Sequence, residues 1–323
     1  MKTTIVIPNY NGIQYLPDCL ASLREELKEN PAKVVLIDNG STDESVFYIR
    51  EQFPEFELVT LKENTGFCKA VNLGIRKART PYVILLNNDT VVKPGFVKAL
   101  EGALDRKERA FSVSACMLDM KEESLLDNAG DLYCALGWAF ARGKGRKAEE
   151  FDRFAEVFSA CGGAAIYRKS VFEEIGYFDE NHFAYLEDVD IGWRAAICGY
   201  RNYYEPGAKV LHAGSGASGS RYNAFKINLA SANSVYMIGK NMPLPQIILN
   251  LPLLAAGFFI KYLFFLKKGF GALYFKGCIR GFQKCFGEEG REHRMPYKKE
   301  HFIHYFRIQL KLWKNIYRRV KNE

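Results

Sequence analysis

The sequence lacks any Cys-x-x-Cys pair, and its eight cysteines are spread widely over 323 residues. Several of them lie inside apolar runs, where cysteine packs as a small hydrophobic residue. Such spacing excludes a dense disulfide framework and argues against a structural zinc site. It favours a protein that works in a reducing compartment.

An apolar leader is also missing, because Met1–Thr4 runs directly into a strand-like segment. We therefore expect the main domain to lie in the cytoplasm. The first 239 residues also lack an excess of positive charge, since 28 basic residues stand against 32 acidic ones. Because binding to a phosphate backbone requires a basic surface, we expect no nucleic-acid partner.

Positive charge accumulates instead from Lys240 onward, with 17 basic and 5 acidic residues. The apolar run Leu244–Ile260 precedes several lysines and aromatic residues, but Pro245 and Pro252 interrupt it. A membrane-spanning helix needs about 20 apolar residues. We expect residues 241–323 to form a helical, amphipathic, basic module that docks on an anionic membrane surface. Packing on the main domain and a true membrane span are the alternatives.

The front part of the chain alternates strand and helix patterns. Short apolar, β-branched runs at 3–8 and 34–38 flank a helical pattern at 15–27. This βαβ unit predicts an α/β fold with parallel strands. The alternation continues, so we expect residues 1–105 to form a Rossmann-like nucleotide-binding half, followed by an acceptor-binding and catalytic half at 106–240.

Two later segments are less regular. The Gly- and Arg-rich stretch 141–147 is typical of a mobile loop. The segments Arg201–Tyr204 and Lys209–His212 predict two short strands.

Acidic residues follow several of the predicted elements. Asp38 ends the second strand, and Asp89 ends a later one. Three more acids, Glu187, Asp188 and Asp190, crowd the start of a helix. Ligands of open α/β sheets bind at the carboxyl ends of strands, where a carboxylate can contact a nucleotide or hold a divalent cation. The same residue types also form turns and helix caps, so each cluster alone leaves both interpretations open.

Taken together, these motifs resemble the family 2 glycosyltransferases with the GT-A fold, in particular their rhamnosyltransferase-like bacterial branch. The resemblance covers about residues 1–220. The matching segments are IVIPNYNG (Ile5–Gly12), VVLIDNGSTDES (Val34–Ser45), ENTGFCKAVNLGI (Glu63–Ile75), VILLNNDTVVKPG (Val83–Gly95), CGGAAIYRKSVFEEIGYFDENHFAYLEDVDIGWRAAICGY (Cys161–Tyr200) and VLHAGSGAS (Val210–Ser218).

The resemblance implies a nucleotide site and a metal site. Asn87, Asn88 and Asp89 occupy the place of the family's DxD metal motif, so Asp89 alone carries its carboxylate. His212 matches a position that supplies a further metal ligand, and we expect Mn²⁺ or Mg²⁺ as the cofactor. The residues expected to bind the donor nucleotide are Pro8, Tyr10, Asp38, Asn64, Lys69 and Asn88.

The resemblance also implies the reaction. Glu187 and Asp188 match the ED motif, in which the second acid is the catalytic base that removes the proton of an acceptor hydroxyl. One displacement at the anomeric carbon inverts its configuration. The donor or acceptor pocket is expected to include Gly162, Gly163, Asp131, Trp193 and Arg194, although a tryptophan on a helix is more often a core residue.

The implied partners are a dTDP- or UDP-sugar donor and a glycan acceptor, lipid-linked, in the synthesis of cell-surface polysaccharide. The QxxRW motif of processive relatives is missing, which favours transfer of one sugar per encounter. The rival interpretations are a nucleotide-sugar-binding protein without transferase activity and an inactive carbohydrate-binding or membrane-docking homologue. The ED motif paired with His212 argues against the first, and the intact set of Asp38, Asp89, Asp188 and His212 argues against the second.

Overall fold

A computed structural model of the chain describes residues 1–214, 222–292 and 294–321. The segment Val210–Ser218 of the resemblance therefore lies outside the described residues from position 215 onward. All eight cysteines are free thiols, which agrees with the prediction of no disulfide framework.

Among the described residues, ten strands form one mixed sheet and two form a separate hairpin, β8–β9. The strands are β1 (Thr3–Asn9), β2 (Lys33–Asp38), β3 (Glu57–Thr60), β4 (Tyr82–Leu86), β5 (Thr90–Val92), β6 (Ala110–Asp119), β7 (Leu126–Asn128), β8 (Asp131–Cys134), β9 (Trp138–Ala141), β10 (Ala155–Val157), β11 (Ala164–Arg168) and β12 (Arg201–His212).

The order across the main sheet is β10-β12-β6-β11-β4-β1-β2-β3. Strands β1 to β4 are parallel, as the βαβ pattern predicted, and their carboxyl ends lie at one edge. Strand β11 runs antiparallel to both β4 and β6, which makes the sheet mixed. The short strand β5 pairs with β12 and β7 pairs with β6.

Helices cover both faces of the sheet and extend the chain beyond it. They are α1 (Leu16–Glu29), α2 (Ser45–Gln52), α3 (Phe67–Lys77), α4 (Phe96–Asp105), α5 (Lys169–Ile175), α6 (Glu187–Ile197), α7 (Ala224–Asn241), α8 (Leu244–Lys267), α9 (Gly271–Phe286), α10 (Glu288–Glu292) and α11 (Phe302–Lys321).

The alternation of side chains along β1 explains the two hydrophobic layers. Ile5 and Ile7 point to one face, where they pack in one cluster with α1 and α4. Val6 points to the other face and packs in a second cluster with α3, α5 and α6. Because successive side chains of a strand point to opposite faces, a strand covered on both sides must be apolar throughout.

Two local predictions were wrong. The segments Arg201–Tyr204 and Lys209–His212 form one strand, β12, whose pairing with β6 shifts register between Glu205 and Lys209. The proline at 206 and the glycine at 207 fall inside this irregularity, where a bulge tolerates them. The segment 141–147 is a turn held by backbone hydrogen bonds to β7 and its flanks rather than a free loop.

The C-terminal helices share a hydrophobic core with the catalytic half. Leu254 of α8 and Leu312 of α11 are buried in one cluster with Tyr133, Phe158 and Trp193. Helix α8 is continuous through its internal proline and is long and apolar enough, by length and composition, to cross a membrane. Only 17% of its most apolar window is buried. The boundary near residue 240 stays a prediction.

Helix α7, the last helix of the 106–240 half, is fixed to α6 and to the segment before it by buried charges. The Lys240 ammonium is fully buried and contacts Asp179 Oδ2 at 2.6 Å and Asp190 Oδ1 at 2.8 Å. Asp190 also accepts hydrogen bonds from Arg194 of its own helix and from Asn241. Buried charges are tolerated only with such compensation.

We predict that Lys240→Met lowers the free energy of unfolding by about 3–5 kcal/mol, because it removes the ammonium that the buried Asp179 and Asp190 carboxylates share. Urea denaturation measures this loss. The control is Lys298→Met, since Lys298 pairs with Glu300 at the surface, where such a pair contributes about 1 kcal/mol or less. Equal stability of the two variants would contradict the role of the buried pair.

Candidate active site

A cavity of about 450 Å³ opens at the carboxyl ends of β1, β2 and β4. This is the place where open α/β sheets bind ligands. Its walls come from distant parts of the chain: the strand ends on one side, the start of α6 and the loop before it on the other, and the first residues of α7. The cavity contains most of the residues that the sequence singled out.

Asn9 links the three strand ends. Its amide donates to Asp38 Oδ1 at 2.9 Å, and its carbonyl oxygen accepts from Asn88 Nδ2 at 2.6 Å. Asp38 is buried and also accepts from the hydroxyl and backbone N–H of Ser41. Its carboxylate therefore lies behind the cavity wall, to which Asn9 and Asn39 contribute directly. The contact of Asp38 with a nucleotide base stays a prediction.

The other donor-side residues divide into two groups. Pro8, Tyr10 and Asn64 line the cavity, and Asn64 Oδ1 accepts hydrogen bonds from Asn39 Nδ2 and the N–H of Gly66. Lys69, by contrast, is exposed on α3 and is not among the cavity-lining residues. Its predicted contact with a diphosphate would require the side chain to reach around the helix.

Asp89 and His212 meet at the floor of the cavity. The register of β12 with β5 pairs His212 with Thr90, so that His212 Nε2 lies 3.4 Å from Asp89 Oδ1. This buried carboxylate oxygen has no hydrogen-bond partner among the described residues. The other imidazole nitrogen, Nδ1, lies 2.8 Å from Asp127 Oδ2. A carboxylate behind a histidine in this way orients metal-binding imidazoles in general.

The charges of His212 and Asp127 shift each other's pKa values. Burial opposes the charge of His212, but its contacts with the Asp127 and Asp89 carboxylates outweigh burial and raise the His212 pKa to about 9. Burial likewise opposes the charge of Asp127, while His212 and Lys144 lower its pKa to about 2. The pocket floor is thus built to hold positive charge between two carboxylates.

These residues fit a divalent cation. The Asp89 oxygen, which accepts no hydrogen bond among the described residues, lies 3.4 Å from the imidazole nitrogen, and a set of oxygen and nitrogen ligands suits Mn²⁺. Asp127 belongs to none of the sequence motifs, and its one signal in the sequence is that it is an acid close to Asp131. Two further clusters of Asp, Cys and His side chains lie close enough together to hold a metal ion. One is Asp131, Cys161 and Asp188; in the other, around Asp190, the Lys240 ammonium already compensates the acids.

Glu187 and Asp188 form the opposite wall, at the first turn of α6. Asp188 Oδ2 accepts from the N–H of Gly162 at 3.2 Å, and its Oδ1 accepts from the N–H of Val189 at 2.7 Å. Burial raises the Asp188 pKa. Glu187 is buried with Oε2 lacking a hydrogen-bond partner among the described residues. Burial and the charge of Asp188 raise its pKa to about 8.

Asp131 lies directly behind Asp188, and the ligand atoms of these two acids and Cys161 are within 4.8 Å of one another. Asn128 Nδ2 donates to Asp131 Oδ1 at 2.8 Å. Burial and the charge of Asp188 raise the Asp131 pKa well above its usual range. The Asp131 carboxyl is hydrogen-bonded to Asp188, which makes Asp131 a support of that side chain rather than a wall residue.

Residues 4–176 match the family described as Glycosyl transferase family 2. The chain belongs to this family. The N-acetylglucosaminyl-diphospho-decaprenol L-rhamnosyltransferase of Mycobacterium tuberculosis H37Rv is 31% identical over 231 residues, which cover 64% of this chain and 75% of that protein. A poly-beta-1,6-N-acetyl-D-glucosamine synthase of Staphylococcus aureus N315 is 26% identical over 207 residues, covering 63% of this chain and 48% of the synthase.

Solved structures establish the fold of this glycosyltransferase. GalNAc-T7 with UDP, GalNAc and Mn²⁺ matches with a TM-score of 0.60 and 16% identity, over 74% of this chain and 48% of that chain. The Pyrobaculum calidifontis mannosyltransferase PcManGT with GDP-Man and Mn²⁺ matches with a TM-score of 0.52 and 17% identity, over 96% and 87%. The predicted GT-A fold and the predicted family are confirmed.

Two pocket predictions for this glycosyltransferase were wrong. Trp193 is fully buried and packs against Tyr133 and Phe158, since α6 turns this face to the core. Arg194 is buried too, and its guanidinium is engaged by Asp190 and by backbone carbonyls at 175–177. The third acid of the cluster, Asp190, is thus a structural partner of Arg194 rather than part of the site.

Gly162 and Gly163 line the cavity, and their part in a donor or acceptor pocket stays a prediction. A side chain at Gly163 would lie 3.1 Å from Met117 and 3.2 Å from Asn87, which leaves little room for one. The absence of side chains there keeps the wall between the metal motif and Asp188 open to a ligand.

The raised pKa of Glu187 predicts how the free energy of unfolding depends on pH. Between about pH 4.5 and pH 8 the unfolded state loses this proton while the folded state keeps it, so stability falls as pH rises. Glu187→Gln removes that dependence. We expect its stability advantage over the native chain to grow by up to about 1 kcal/mol per pH unit across this window. Urea midpoints measured from pH 5 to pH 8 test this, and an advantage that is constant or shrinks with pH would contradict it.

Proposed function

We propose that this family 2 glycosyltransferase is an inverting, metal-dependent enzyme that moves a sugar from a nucleotide-diphosphate donor to a hydroxyl of a glycan. The observation that supports this most directly is the shared cavity. Asp188 and Glu187 face Asp89 and His212 across one space of about 450 Å³, which ends at the strand termini that bind nucleotides in such sheets. One cavity therefore offers a base, a cation site and a nucleotide site.

The donor side is formed by Pro8, Tyr10, Asn64 and Asn88, supported from behind by Asp38. In this proposal the nucleotide lies over Pro8 and Tyr10, and the diphosphate points toward Asp89. Lys69 is the residue whose part in diphosphate binding has the weakest support, because it is exposed on α3.

The base in this proposal is Asp188. Two backbone N–H groups and the neighbouring Asp131 hold its carboxylate in one orientation. A general base must be both positioned and matched in pKa to its task, and the raised pKa brings Asp188 closer to neutral pH. Asp188 takes the proton of the acceptor hydroxyl as that oxygen attacks the anomeric carbon from the face opposite the leaving diphosphate.

Asp89 and His212 would hold the divalent cation, Mn²⁺ or Mg²⁺. When bound, such an ion neutralises charge that builds on a departing diphosphate. Asp127 keeps the His212 ring in place through Nδ1. Since ligands must be deprotonated to bind a metal, the His212 proton would leave on loading.

The named activity of the mycobacterial relative suggests the substrates. By likeness to it, we propose a rhamnose or hexose donor, carried by dTDP or UDP, and a lipid-linked glycan acceptor in cell-surface polysaccharide synthesis. A lipid-linked acceptor presents its sugar at a membrane surface, which would suit an enzyme whose C-terminal helices dock on a membrane.

The surface of the C-terminal helices supports membrane docking. Large apolar side chains are exposed on α8, α9 and α11, among them Ile248, Leu251, Phe259, Phe282 and Phe306. Lysines and arginines accompany them along these helices. Apolar anchors with flanking cations bind anionic bilayers. We propose a cytoplasmic enzyme held peripherally at the inner face of the cell membrane.

The catalytic proposal predicts that Asp188→Asn lowers kcat of sugar transfer by about 10²- to 10⁴-fold, the usual contribution of a general base. Nucleotide affinity should stay unchanged. Asp89→Asn should instead abolish the Mn²⁺-dependent part of nucleotide binding. The measurement is turnover of a panel of dTDP- and UDP-sugars with Mn²⁺, with calorimetric titration of the nucleotide.

Asp152→Asn is the matched control for these variants, since Asp152 is a highly exposed acid outside the cavity. NMR of the product adds a second test, because a single displacement must give the anomeric configuration opposite to that of the donor. The absence of turnover with any donor would contradict the transferase activity. Full activity of Asp188→Asn would contradict the role of Asp188 as the base, and a retained configuration would contradict the inverting mechanism.

For membrane docking, we predict that the double variant Leu251→Glu and Phe259→Glu reduces binding to vesicles containing anionic lipid at least tenfold, because two charges replace exposed apolar anchors on α8. Vesicle co-sedimentation measures this. The control is Phe47→Glu, an equally exposed aromatic on α2. Point variants are preferable to deleting residues 243–323, since α8 and α11 belong to the core. Unchanged binding of the double variant would refute docking through α8.

A further inference from the structure

The loop before α6 has an unusual backbone. Phe183, Tyr185 and Leu186 have φ angles of 62°, 71° and 68°, in the left-handed region that side chains other than glycine avoid. Phe183 is the centre of a γ-turn, with ψ of −60° and a 2.7 Å hydrogen bond from Ala184 N–H to the His182 carbonyl. This turn type is rare and strained. Each such residue costs about 1–3 kcal/mol and persists only where its surroundings hold it.

The strained loop is part of the cavity. Phe183, Ala184 and Tyr185 line it, and Leu186 is the N-cap of α6. Glu187 and Asp188, which line the cavity together with Asp89 and His212, follow Leu186 directly. The direction in which the first turn of α6 presents its carboxyl groups therefore depends on the conformation of the loop.

One side chain from α7 holds this loop. Asn233 is fully buried, and its Nδ2 lies 3.0 Å from the His182 carbonyl oxygen, 2.9 Å from that of Ala184 and 2.9 Å from that of Tyr185. The opposite orientation of the amide would turn its oxygen toward three carbonyl oxygens. The amide group must therefore point its N–H donors at the loop.

Helix α7 is in turn anchored on both sides of the loop. The Lys240 ammonium contacts Asp179, which precedes the loop, and Asp190, which follows it in α6. Asn241 Nδ2 donates to the same Asp190 oxygen at 2.7 Å. Asn233 thus reaches the loop from a helix whose position relative to α6 is set by buried charge contacts.

We propose that Asn233 is a positioning residue for the transfer reaction, which clamps residues 182–186 so that Asp188 faces the reacting hydroxyl. The inference rests on the transferase function proposed above. It concerns mainly the acceptor and base side, because Asn233 donates to carbonyls of the loop, whereas Pro8, Tyr10 and Asn88 of the nucleotide side lie at the ends of β1 and β4.

The clamp predicts a specific kinetic effect. Asn233→Ala removes the donors to three carbonyls, and the strained loop relaxes toward ordinary backbone angles. A misplacement of about 1 Å at a reacting group can cost about 10²-fold in rate. We expect kcat to fall by about that factor while KM for the nucleotide sugar changes less than threefold. Hydrogen–deuterium exchange of the peptide covering 182–190 should accelerate, with little change elsewhere in the sheet.

Asn233→Asp separates a clamp from a space-filling role. The aspartate has the same shape but turns an acceptor group toward three carbonyl oxygens, so we expect it to lose at least as much kcat as Asn233→Ala. A residue that only fills space would tolerate this change far better than truncation. The matched control is Ser234→Ala, since the neighbouring hydroxyl is equally buried but donates only to the Ala230 carbonyl of its own helix.

The outcomes distinguish this inference from the proposed function. Unchanged exchange at 182–190 in Asn233→Ala would overturn the clamp, whether or not the protein has transferase activity. Faster exchange with an unchanged kcat would overturn the positioning role. If the native chain turns over no donor, the proposed function fails, and the exchange experiment still decides whether Asn233 holds the loop. If Asn233→Asp does not fold, Asn233→Ala and the control carry the test.

Discussion

The site depends on the pairing of β12, which brings a histidine from the end of the catalytic half to the metal motif. Strand β12 runs parallel to β6 and antiparallel to the short strand β5, so that His212 pairs with Thr90. A slip of one residue would turn His212 to the opposite face of the sheet. The apolar positions of β12, such as Val210, are buried in the main core and specify that register.

Buried charge is the second organising feature, and each charged group has its own compensation. Asp89 and Asp127 share the imidazolium of His212, while Asp190 is paired with Lys240 and Arg194. No cation in the part of the chain that the structure describes pairs with Asp188 or Glu187, and burial raises the pKa of both. Desolvation without a counter-charge favours the neutral form of a carboxyl group. For this reason the pKa values of Glu187 and Asp188 are raised, while that of Asp190 in the same helix is lowered by Lys240 and Arg194.

The C-terminal helices combine two physical roles. Their inner faces complete the core around Trp193 and pack on α7, whose Asn233 holds the loop before α6, while their outer faces expose large apolar side chains. Close approach is needed for the first role. A side chain at Gly281 of α9 would lie 2.1 Å from the Ala232 carbonyl oxygen of α7, so only glycine permits this helix contact. The catalytic half therefore depends on helices that sequence patterns assign to a separate module.

The sequence by itself determined the βαβ pattern, the strand ends that carry Asp38 and Asp89, and the family motif of Asp188, because periodicity and contiguous motifs are local properties of the chain. Only the tertiary structure decided which side chains contact one another across the chain. His212 meets Asp127 across 85 residues and Asp190 meets Asn241 across 51. It also turned Trp193 and Arg194 inward, since the side of α6 that faces the core depends on what packs against it. Hydrogen bonds and ion pairs between distant segments follow from strand register and helix packing, which a local pattern does not specify.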